Sequence, residues 1–282
     1  MNERSLGTPG RQQTGQFLLL NEKQNTSFDT EYHSREELET KFLLLEELSE
    51  DRPFNVLDLG GGNGAFVDHL LARFPLGSAT ILDTSLLLLG KNSTSDRKEL
   101  IHGSIEHMTD ILKGRTFDCI TVNWVLHHLV GNSYRACRDN CLKTLMHCKE
   151  LLKPNGTLIV AENMFDGYLG TNVPSYLIYV LTATRWPWFV RVAKRFFNTA
   201  GLGVCFQSQR AWQHIFAEAG FEVVTFQRGL EWSWLEHTVR RKDFRNMAVH
   251  LLFVKSVSHG HFSLRMYREG NRLTGAAMVG VV

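Results

Sequence analysis

The chain has 282 residues, enough for one large α/β domain or two smaller ones. Its 31 lysines and arginines nearly balance its 29 aspartates and glutamates, which argues against a dedicated nucleic-acid-binding protein. Hydrophobic residues make up 43% of the chain, a fraction typical of a folded globular protein rather than a disordered one.

Residues 1–33 are predicted to form a flexible N-terminal segment because they are mostly polar. The opening stretch, MNERSLGTPGRQQTGQ, lacks the apolar run of a secretory signal or an N-terminal membrane anchor. The expected location is therefore the cytoplasm.

Strand-like and helix-like segments alternate from residue 34 to residue 163. The predicted strands are 55–59, 79–83, 99–102, 117–123 and 157–163. The predicted helices are 34–49, 65–74, 84–90, 105–112 and 133–152. This alternation is typical of right-handed βαβ units and predicts a parallel sheet with helices on both faces.

The alternation ends after the fifth strand. Residues 164–208 form an insertion before the next helix, which is predicted at 209–219. Two further strands, 221–227 and 247–256, have no helix-sized apolar pattern between them, so they are expected to pair antiparallel. The main domain is therefore predicted to span 34–258, with 259–282 as a C-terminal tail.

The five cysteines show neither a disulfide nor a metal-binding pattern, because no C-x-x-C pair is present. Cys137, Cys141 and Cys148 fall on one face of the predicted helix 133–152, where cysteine behaves as a small apolar residue. We expect these thiols to be buried.

A glycine-dense turn follows the first predicted strand in the segment VLDLGGGNG (56–64). The helix predicted after it has an N-terminus suited to binding a ligand through main-chain N–H groups. Two motifs fit: GxGxxA from Gly60, as in NAD or FAD sites, and DxGxGxG from Asp58, as in methyltransferases. Asp83, 19 residues after Gly64, ends the second strand. Its carboxylate could bind the ribose hydroxyls of the ligand of either motif.

The sequence resembles the class I S-adenosylmethionine (SAM)-dependent methyltransferases over about residues 35–256. The motifs that carry the resemblance are VLDLGGGNGAF (56–66), ILDTS (81–85), FDCITVNWVLHHL (117–129), LLKPNGTLIVAEN (151–163) and WQHIFAEAGFEVV (212–224). The resemblance implies an α/β, Rossmann-like fold with a seven-stranded, mostly parallel sheet of order 3-2-1-4-5-7-6. The last strand of the chain is then antiparallel, helices cover both faces, and a helical lid is inserted at about 164–208.

The resemblance also implies SAM as cofactor, with S-adenosylhomocysteine (SAH) as product, bound across the carboxyl ends of strands one to four. Asp58 would lie under the methionine amino end and Asp83 would hold the ribose. Many family members place an acidic residue after the third strand to meet the adenine, where this chain has Ser104, which can accept a hydrogen bond. The implied cofactor-binding residues are Asp58, Gly60, Gly61, Gly62, Asp83, Thr84, Ser104, Ile105, Asn123 and Trp124.

Candidate residues for the methyl acceptor follow the fourth and fifth strands. Methyl transfer from a sulfonium is an in-line displacement, so a base is needed only where the acceptor loses a proton. His127 and His128 are candidates for that base, although the family often has a histidine here that only packs. Glu162 and Asn163 are candidates for binding the acceptor. No metal is expected, because Asn123 stands where a metal site would need a carboxylate.

Residues 172–198 of the insertion interleave aromatic and basic side chains. Three uses fit this pattern: a helical lid packed on the domain, a lid that closes over the methyl acceptor, and contact with a membrane surface. The apolar run within it is too short to span a bilayer. For a lid over the acceptor, the substrate-binding candidates are Tyr176, Tyr179, Arg185 and Trp186.

The sequence therefore predicts a SAM-dependent methyltransferase acting on an O, N or C atom of a largely apolar or aromatic small molecule. The alternative is a methyltransferase-fold protein that binds SAM without methylating, as a scaffold or a cyclase-like catalyst. An NAD(P)-linked oxidoreductase is disfavoured because no Tyr-x-x-x-Lys pair follows the fourth strand. The expected partner is a small-molecule methyl acceptor, with no nucleic acid, and the chain is expected to be a monomer or homodimer.

Overall fold

The structure is a computed structural model that describes residues 35–46, 52–167, 171–186, 188, 190, 201, 203–228 and 256–266. Its strands are β1 (Phe54–Leu59), β2 (Gly77–Asp83), β3 (Lys98–His102), β4 (Phe117–Asn123), β5 (Leu152–Asp166), β6 (Phe221–Arg228) and β7 (Ser256–Met266). Its helices are α1 (Arg35–Glu46), α2 (Ala65–Arg73), α3 (Leu86–Leu89), α4 (Met108–Ile111), α5 (Tyr134–Leu151), α6 (Val173–Ala183) and α7 (Gln209–Glu218). Short 3₁₀ helices, Ile105–His107 and Leu126–His128, follow β3 and β4.

The strands form one seven-stranded sheet in the order β3-β2-β1-β4-β5-β7-β6. Strands β1 to β5 pair with one another in parallel, and β7 is antiparallel to both β5 and β6. The predicted fold class, strand order and antiparallel last strand are confirmed. The carboxyl ends of β1 to β4 consequently meet along one edge, where a doubly wound sheet binds its ligands.

Helices cover both faces of the sheet, which gives two apolar cores. The side chains of β1 alternate between these cores. Val56 packs in the core that contains residues of α1 and α2, whereas Leu57 packs in the core that contains residues of α5 and α7. The alternation directs Asp58 to the same face as Val56. This face is where α1 approaches the carboxyl end of β1.

The three cysteines of α5 lie where the sequence predicts them. Cys137, Cys141 and Cys148 are wholly buried on the face of α5 that packs against the protein, and their thiols are free. Burial raises the pKa of the Cys148 thiol to about 12, so it is an unreactive core residue.

The position of the last strand differs from the prediction. The structure places β7 at Ser256–Met266, so the predicted strand 247–256 shares only Ser256 with it, and residues 247–255 lie outside the described residues. Part of the predicted tail, from 259 onward, is therefore in the sheet. Phe262 and Leu264, both wholly buried, anchor it from alternate positions. The apolar run before Ser256 is more continuous than the sequence of β7. Hydrophobic patterning therefore favoured that run as the strand.

The insertion begins later than predicted because β5 continues through Asp166 instead of ending at residue 163. Met164 pairs with Gln207, and the Asp166 carboxylate accepts a hydrogen bond from the Gln209 main-chain N–H at the start of α7. Helix α6 is the part of the insertion between 172 and 198 that the structure describes as a continuous helix. Within the described residues, the helices are too short or too polar to cross a bilayer.

Candidate active site

The turn after β1 needs glycine for reasons internal to the protein. Gly60, Gly62 and Gly64 have φ values of 69°, 52° and 76°, which favour glycine. A Cβ on Gly60 would lie 2.6 Å from Val125 Cγ2, and one on Gly61 would lie 2.3 Å from Asp58 Oδ2. A Cβ on Gly62 would lie 3.5 Å from Leu88 Cδ1, an ordinary contact distance, so the positive φ of Gly62 rather than crowding favours glycine there.

The Asp83 carboxylate organises this turn from the end of β2. Its Oδ2 accepts a hydrogen bond of 2.9 Å from the Gly62 main-chain N–H, and its Oδ1 accepts one of 2.7 Å from Ser85. The carboxylate thus links the turn after β1 to the residues that follow β2. Its position at the carboxyl end of β2, beside the glycine turn, fits the ribose-binding role predicted for Asp83.

Asp58 is a buried carboxylate with one oxygen that has no protein partner. Its Oδ1 accepts hydrogen bonds from Thr121 Oγ1 at 2.7 Å and from Asn123 Nδ2 at 3.3 Å. Its Oδ2 is buried without a hydrogen bond. Burial, which outweighs these hydrogen bonds, raises the pKa of Asp58 to about 6. An unsatisfied buried acceptor is costly, and an ammonium group such as that of the methionine end of SAM fits it.

The other predicted cofactor residues lie at the same edge of the sheet. Ser104 Oγ accepts a hydrogen bond from the Glu106 main-chain N–H, and Ile105 is buried beside it. Trp124 leaves β4 with a φ of 54°, and its main-chain N–H donates to the Ala161 carbonyl of β5. The Thr84 carbonyl contacts His102 Nε2 at 3.1 Å. The structure thus brings the predicted residues from the ends of four strands together.

His127 and Glu162 form a buried pair at the ends of β4 and β5. His127 Nδ1 lies 2.7 Å from Glu162 Oε2, and the other oxygen, Oε1, accepts a 2.7 Å hydrogen bond from the Leu126 main-chain N–H. Because a carboxylate accepts hydrogen bonds, Nδ1 carries the proton in this pair. The Nε2 atom of His127 is thereby fixed as the nitrogen that can accept a proton.

His128 has a different environment from His127. Burial, with a smaller contribution from the neighbouring His127, holds the pKa of His128 well below its ordinary value. The two imidazole rings lie 4.0 Å apart between centroids. His128 is therefore a neutral ring packed against His127, and the carboxylate partner distinguishes His127 as the base candidate.

Glu162 does not lie where an acceptor can contact it, contrary to the prediction. Its side chain is wholly buried, and both carboxylate oxygens are engaged by Leu126 and His127. Asn163, the next residue of β5, is half-buried and points to the opposite face of the strand. Among the residues that the structure describes, no group of three or more histidine, cysteine or acidic side chains is arranged to hold a metal ion.

Of the four insertion residues predicted to bind the acceptor, three are exposed in this structure. Tyr176 is 50% exposed and Trp186 is 66% exposed, and Arg185 also lies at the surface. Tyr179 alone of the four is buried, and its hydroxyl donates to the Gly131 carbonyl at 3.3 Å. Helix α6 therefore packs through Tyr179 on the loop that follows the histidine motif, with Tyr176 and Trp186 facing outward.

Two aromatic residues that the sequence analysis missed lie next to His127. The Phe206 ring stacks on the His127 ring with 4.8 Å between centroids, and Phe165 lies 4.6 Å from Phe206 in turn. The Cys205 main-chain N–H also donates to the His127 carbonyl. Phe206 lies in an irregular segment, so hydrophobic periodicity offers no signal for it.

Comparisons with known proteins agree with this arrangement. The model of the methyltransferase domain family matches residues 31–225. An uncharacterized protein of Methanocaldococcus jannaschii is 36% identical over 118 residues, which cover 42% of this chain and 44% of that protein. The structure of a SAM-dependent methyltransferase from Thiobacillus denitrificans, in complex with SAH, gives a TM-score of 0.53 at 16% identity, covering 87% of this chain and 97% of that one. The cyclase SpnF gives 0.52 at 13% identity, covering 82% and 81%.

The solved structures share the fold at low identity, whereas the family model matches most of the chain. The matched residues 31–225 include the glycine turn, Asp83, His127 and Glu162. The cofactor of this family is SAM, and the buried, unpaired oxygen of Asp58 fits its ammonium group. The chain therefore belongs to the methyltransferase domain family, the class I SAM-dependent methyltransferases with a Rossmann-like fold.

Proposed function

We propose that this chain transfers a methyl group from SAM to a hydroxyl oxygen of a largely apolar or aromatic small molecule. Membership of the family indicates methyl transfer, and one observation supports an oxygen atom as the methyl acceptor. His127 Nδ1 lies 2.7 Å from the buried Glu162 carboxylate, an arrangement that prepares the opposite ring nitrogen to remove a proton. A hydroxyl group needs such a base before it can attack a methyl group, whereas an acceptor without a proton to lose does not.

The cofactor would be held by two carboxylates at the sheet edge. Asp58 offers its unpaired Oδ2 to the ammonium of the methionine end, and Asp83, at the carboxyl end of β2, would meet the ribose hydroxyls. When bound, SAM supplies an electrophilic methyl group. The similar Thiobacillus denitrificans methyltransferase, solved with SAH, supports this choice of cofactor.

His127 acts as the general base in this proposal. Its Nε2 accepts the proton of the acceptor hydroxyl while the ring keeps the proton on Nδ1. Glu162 stabilises the imidazolium that forms, and its second bond, to the Leu126 N–H, fixes its own orientation. The proton then passes from Nε2 to water, which restores the neutral ring.

The apolar or aromatic character of the acceptor follows from the surroundings of His127. Phe206 stacks on the His127 ring and Phe165 packs against Phe206, so aromatic surface lies beside the proposed base. Both phenylalanines are only partly buried, so part of each side chain remains exposed. Aromatic faces of this kind favour flat apolar ligands.

Asp83 provides a test of the cofactor position. The variant Asp83→Asn is expected to weaken SAH binding by about 10- to 100-fold, because hydrogen bonds to a charged group contribute about 1.5 to 3 kcal/mol. Isothermal titration measures the effect, with the exposed Asp96→Asn as the matched control. Thermal unfolding of the variant checks that the protein, including the turn that Asp83 organises, remains folded. A folded Asp83→Asn protein with the affinity of the unmodified chain would refute the ribose assignment.

The acceptor class is tested with isotopically methyl-labelled SAM and paired small molecules. Each pair consists of a phenol and the same compound lacking the hydroxyl, and mass spectrometry locates the label. We expect O-methylated products from phenols, one SAH per methyl transferred, and none from the paired compounds. Label on a carbon atom would contradict the proposal. SAH-site binding with no transfer to any phenol would favour a protein that binds SAM without methylating.

A further inference from the structure

Helix α6 turns an apolar face to the solvent. Its 11 residues, VPSYLIYVLTA, include no charged side chain. The residues that face the protein and are buried are Pro174, Ser175, Tyr179 and Thr182. Val173, Tyr176 and Val180 recur at helical spacing and are exposed, as is Leu181, so they form an apolar stripe along the outer side of the helix. A surface helix ordinarily carries charged or polar residues on that side.

Two exposed tryptophans follow α6 in the chain. Trp186 is 66% exposed and Trp188 is 63% exposed, and their ring centroids lie 6.4 Å apart. Exposed apolar residues that stand singly are ordinary, whereas several of them close together mark an interaction site. We call the outer stripe of α6 together with Trp186 and Trp188 the α6 surface.

The chain around the α6 surface carries charge of one sign. Between Asp166 and Glu218 the sequence has no acidic residue, and its basic residues there are Arg185, Arg191, Lys194, Arg195 and Arg210. Acidic and basic residues nearly balance over the whole chain, so the rest of the chain is net negative. Arg185 stands between α6 and Trp186 and is exposed. The occupant that matches these features combines negative charge with an apolar interior.

A lipid bilayer that contains anionic lipids has both properties. Tryptophan and tyrosine concentrate at the boundary between headgroups and acyl chains, because their rings are amphipathic. Basic residues beside them are attracted to anionic headgroups. A helix of 11 residues is too short to span a bilayer, so the contact would involve one leaflet. A symmetric contact between two copies of this chain would instead bring Arg185 and its basic neighbours in sequence against the same positive charges.

Helix α6 is joined to the acceptor side of the active site. Thr182 Oγ1 accepts a 3.1 Å hydrogen bond from the Val204 main-chain N–H, and the next residue, Cys205, donates its N–H to the His127 carbonyl. Phe206, which stacks on His127, follows directly. A bilayer against the outer side of α6 would therefore lie next to the part of the protein that holds His127.

We propose that the α6 surface docks this protein on one leaflet of a bilayer that contains anionic lipids. Trp186 and Trp188 enter the headgroup boundary, Arg185 pairs with lipid phosphates, and the outer stripe of α6 lies along the membrane plane. The inference concerns where the protein acts and does not depend on His127 or on the acceptor atom. SAH binding and methyl transfer to a soluble acceptor do not require it, so the two proposals fail separately.

Sedimentation of the chain with sucrose-loaded vesicles tests the docking. One set contains phosphatidylcholine alone, and the other contains phosphatidylcholine with about one-third phosphatidylglycerol, which supplies the negative charge. We expect binding to the anionic vesicles, about tenfold or more weaker binding to the neutral ones, and release at high salt. The double variant Trp186→Ser/Trp188→Ser should weaken binding to anionic vesicles by about tenfold or more, and Arg185→Gln by about fivefold.

The matched controls are Leu76→Ser and Lys113→Gln, which change exposed residues before β2 and β4, at the opposite edge of the sheet from the active site. Both should bind vesicles like the unmodified chain. Isothermal titration with SAH and thermal unfolding check that each variant keeps its cofactor site and its fold. If the double variant does not fold, Arg185→Gln decides the test.

Three results would overturn the assignment. The first is an unmodified chain that sediments with neither kind of vesicle, or equally with both. The second is unchanged vesicle binding by the folded variants of the α6 surface, or equal losses in the two controls. The third is a dimer in analytical ultracentrifugation that the tryptophan substitutions dissociate, without vesicle binding, which would assign the α6 surface to a second copy of the chain.

Discussion

The variant His127→Gln is expected to lower kcat by about 10²- to 10⁴-fold, the usual contribution of a positioned general base. SAH affinity should stay within about twofold, because the proposed role of His127 is to take a proton from the acceptor and not to bind the methionine end. The stacking partner Phe206 retains a planar side chain to pack against. Single-turnover methyl transfer and isothermal titration measure the two effects separately.

The variant Glu162→Gln is the matched test of the same step. Its oxygen still accepts from the Leu126 N–H, but its NH₂ group faces His127 Nδ1, where a carboxylate oxygen stood at 2.7 Å. The ring is then driven to carry its proton on Nε2, which removes the base without removing the histidine. We expect a loss of kcat comparable with His127→Gln. Near-normal turnover in both folded variants would show that the pair is structural.

The variant Asp58→Asn is expected to weaken SAH binding by about 100-fold or more, because it leaves a buried ammonium without its anion. The amide oxygen still accepts from Thr121 and Asn123, so the β1–β4 contact persists. Isothermal titration checks the loss. An unchanged affinity in the folded variant would place the methionine end elsewhere.

The raised pKa of Asp58 determines how the stability of the ligand-free protein and its affinity for SAH change with pH. The pKa rises from its ordinary value of 3.8 to about 6, so the folded, ligand-free protein binds more protons than the unfolded chain between these values. Stability is therefore lost as pH rises through that window, by about 3 kcal/mol in total. Ligand binding shows the opposite trend, since an ammonium needs the ionised form. SAH affinity should fall about tenfold from pH 7.5 to pH 5, and Asp58→Asn should remove the dependence.

The cofactor edge was predictable from sequence because each part is encoded by contiguous residues. The glycine turn immediately follows the buried strand β1, and Asp83 ends the buried strand β2. Parallel neighbouring strands bring such ends together. The sequence did not reveal why Gly60 and Gly61 are glycines, since Val125 and Asp58 Oδ2 reach those positions only in the folded chain.

The acceptor side was less predictable because its contacts join distant segments. The sequence analysis gave Glu162 as a candidate for binding the acceptor, whereas the structure buries its side chain against His127. Phe206, which stacks on His127, comes from an irregular segment that hydrophobic periodicity does not single out. The complete burial of Lys41 on α1 likewise gave no signal, since lysine ordinarily lies at the surface.

A crystal structure of the chain with bound SAH tests the central claim most directly. We predict the SAH ammonium on Asp58 Oδ2, the ribose hydroxyls on Asp83, and the sulfur facing the same side of the sheet edge as His127 Nε2. This placement would put an acceptor hydroxyl between the methyl donor and the proposed base. SAH bound away from Asp58 and Asp83, or a sulfur separated from His127 by protein atoms, would contradict the account.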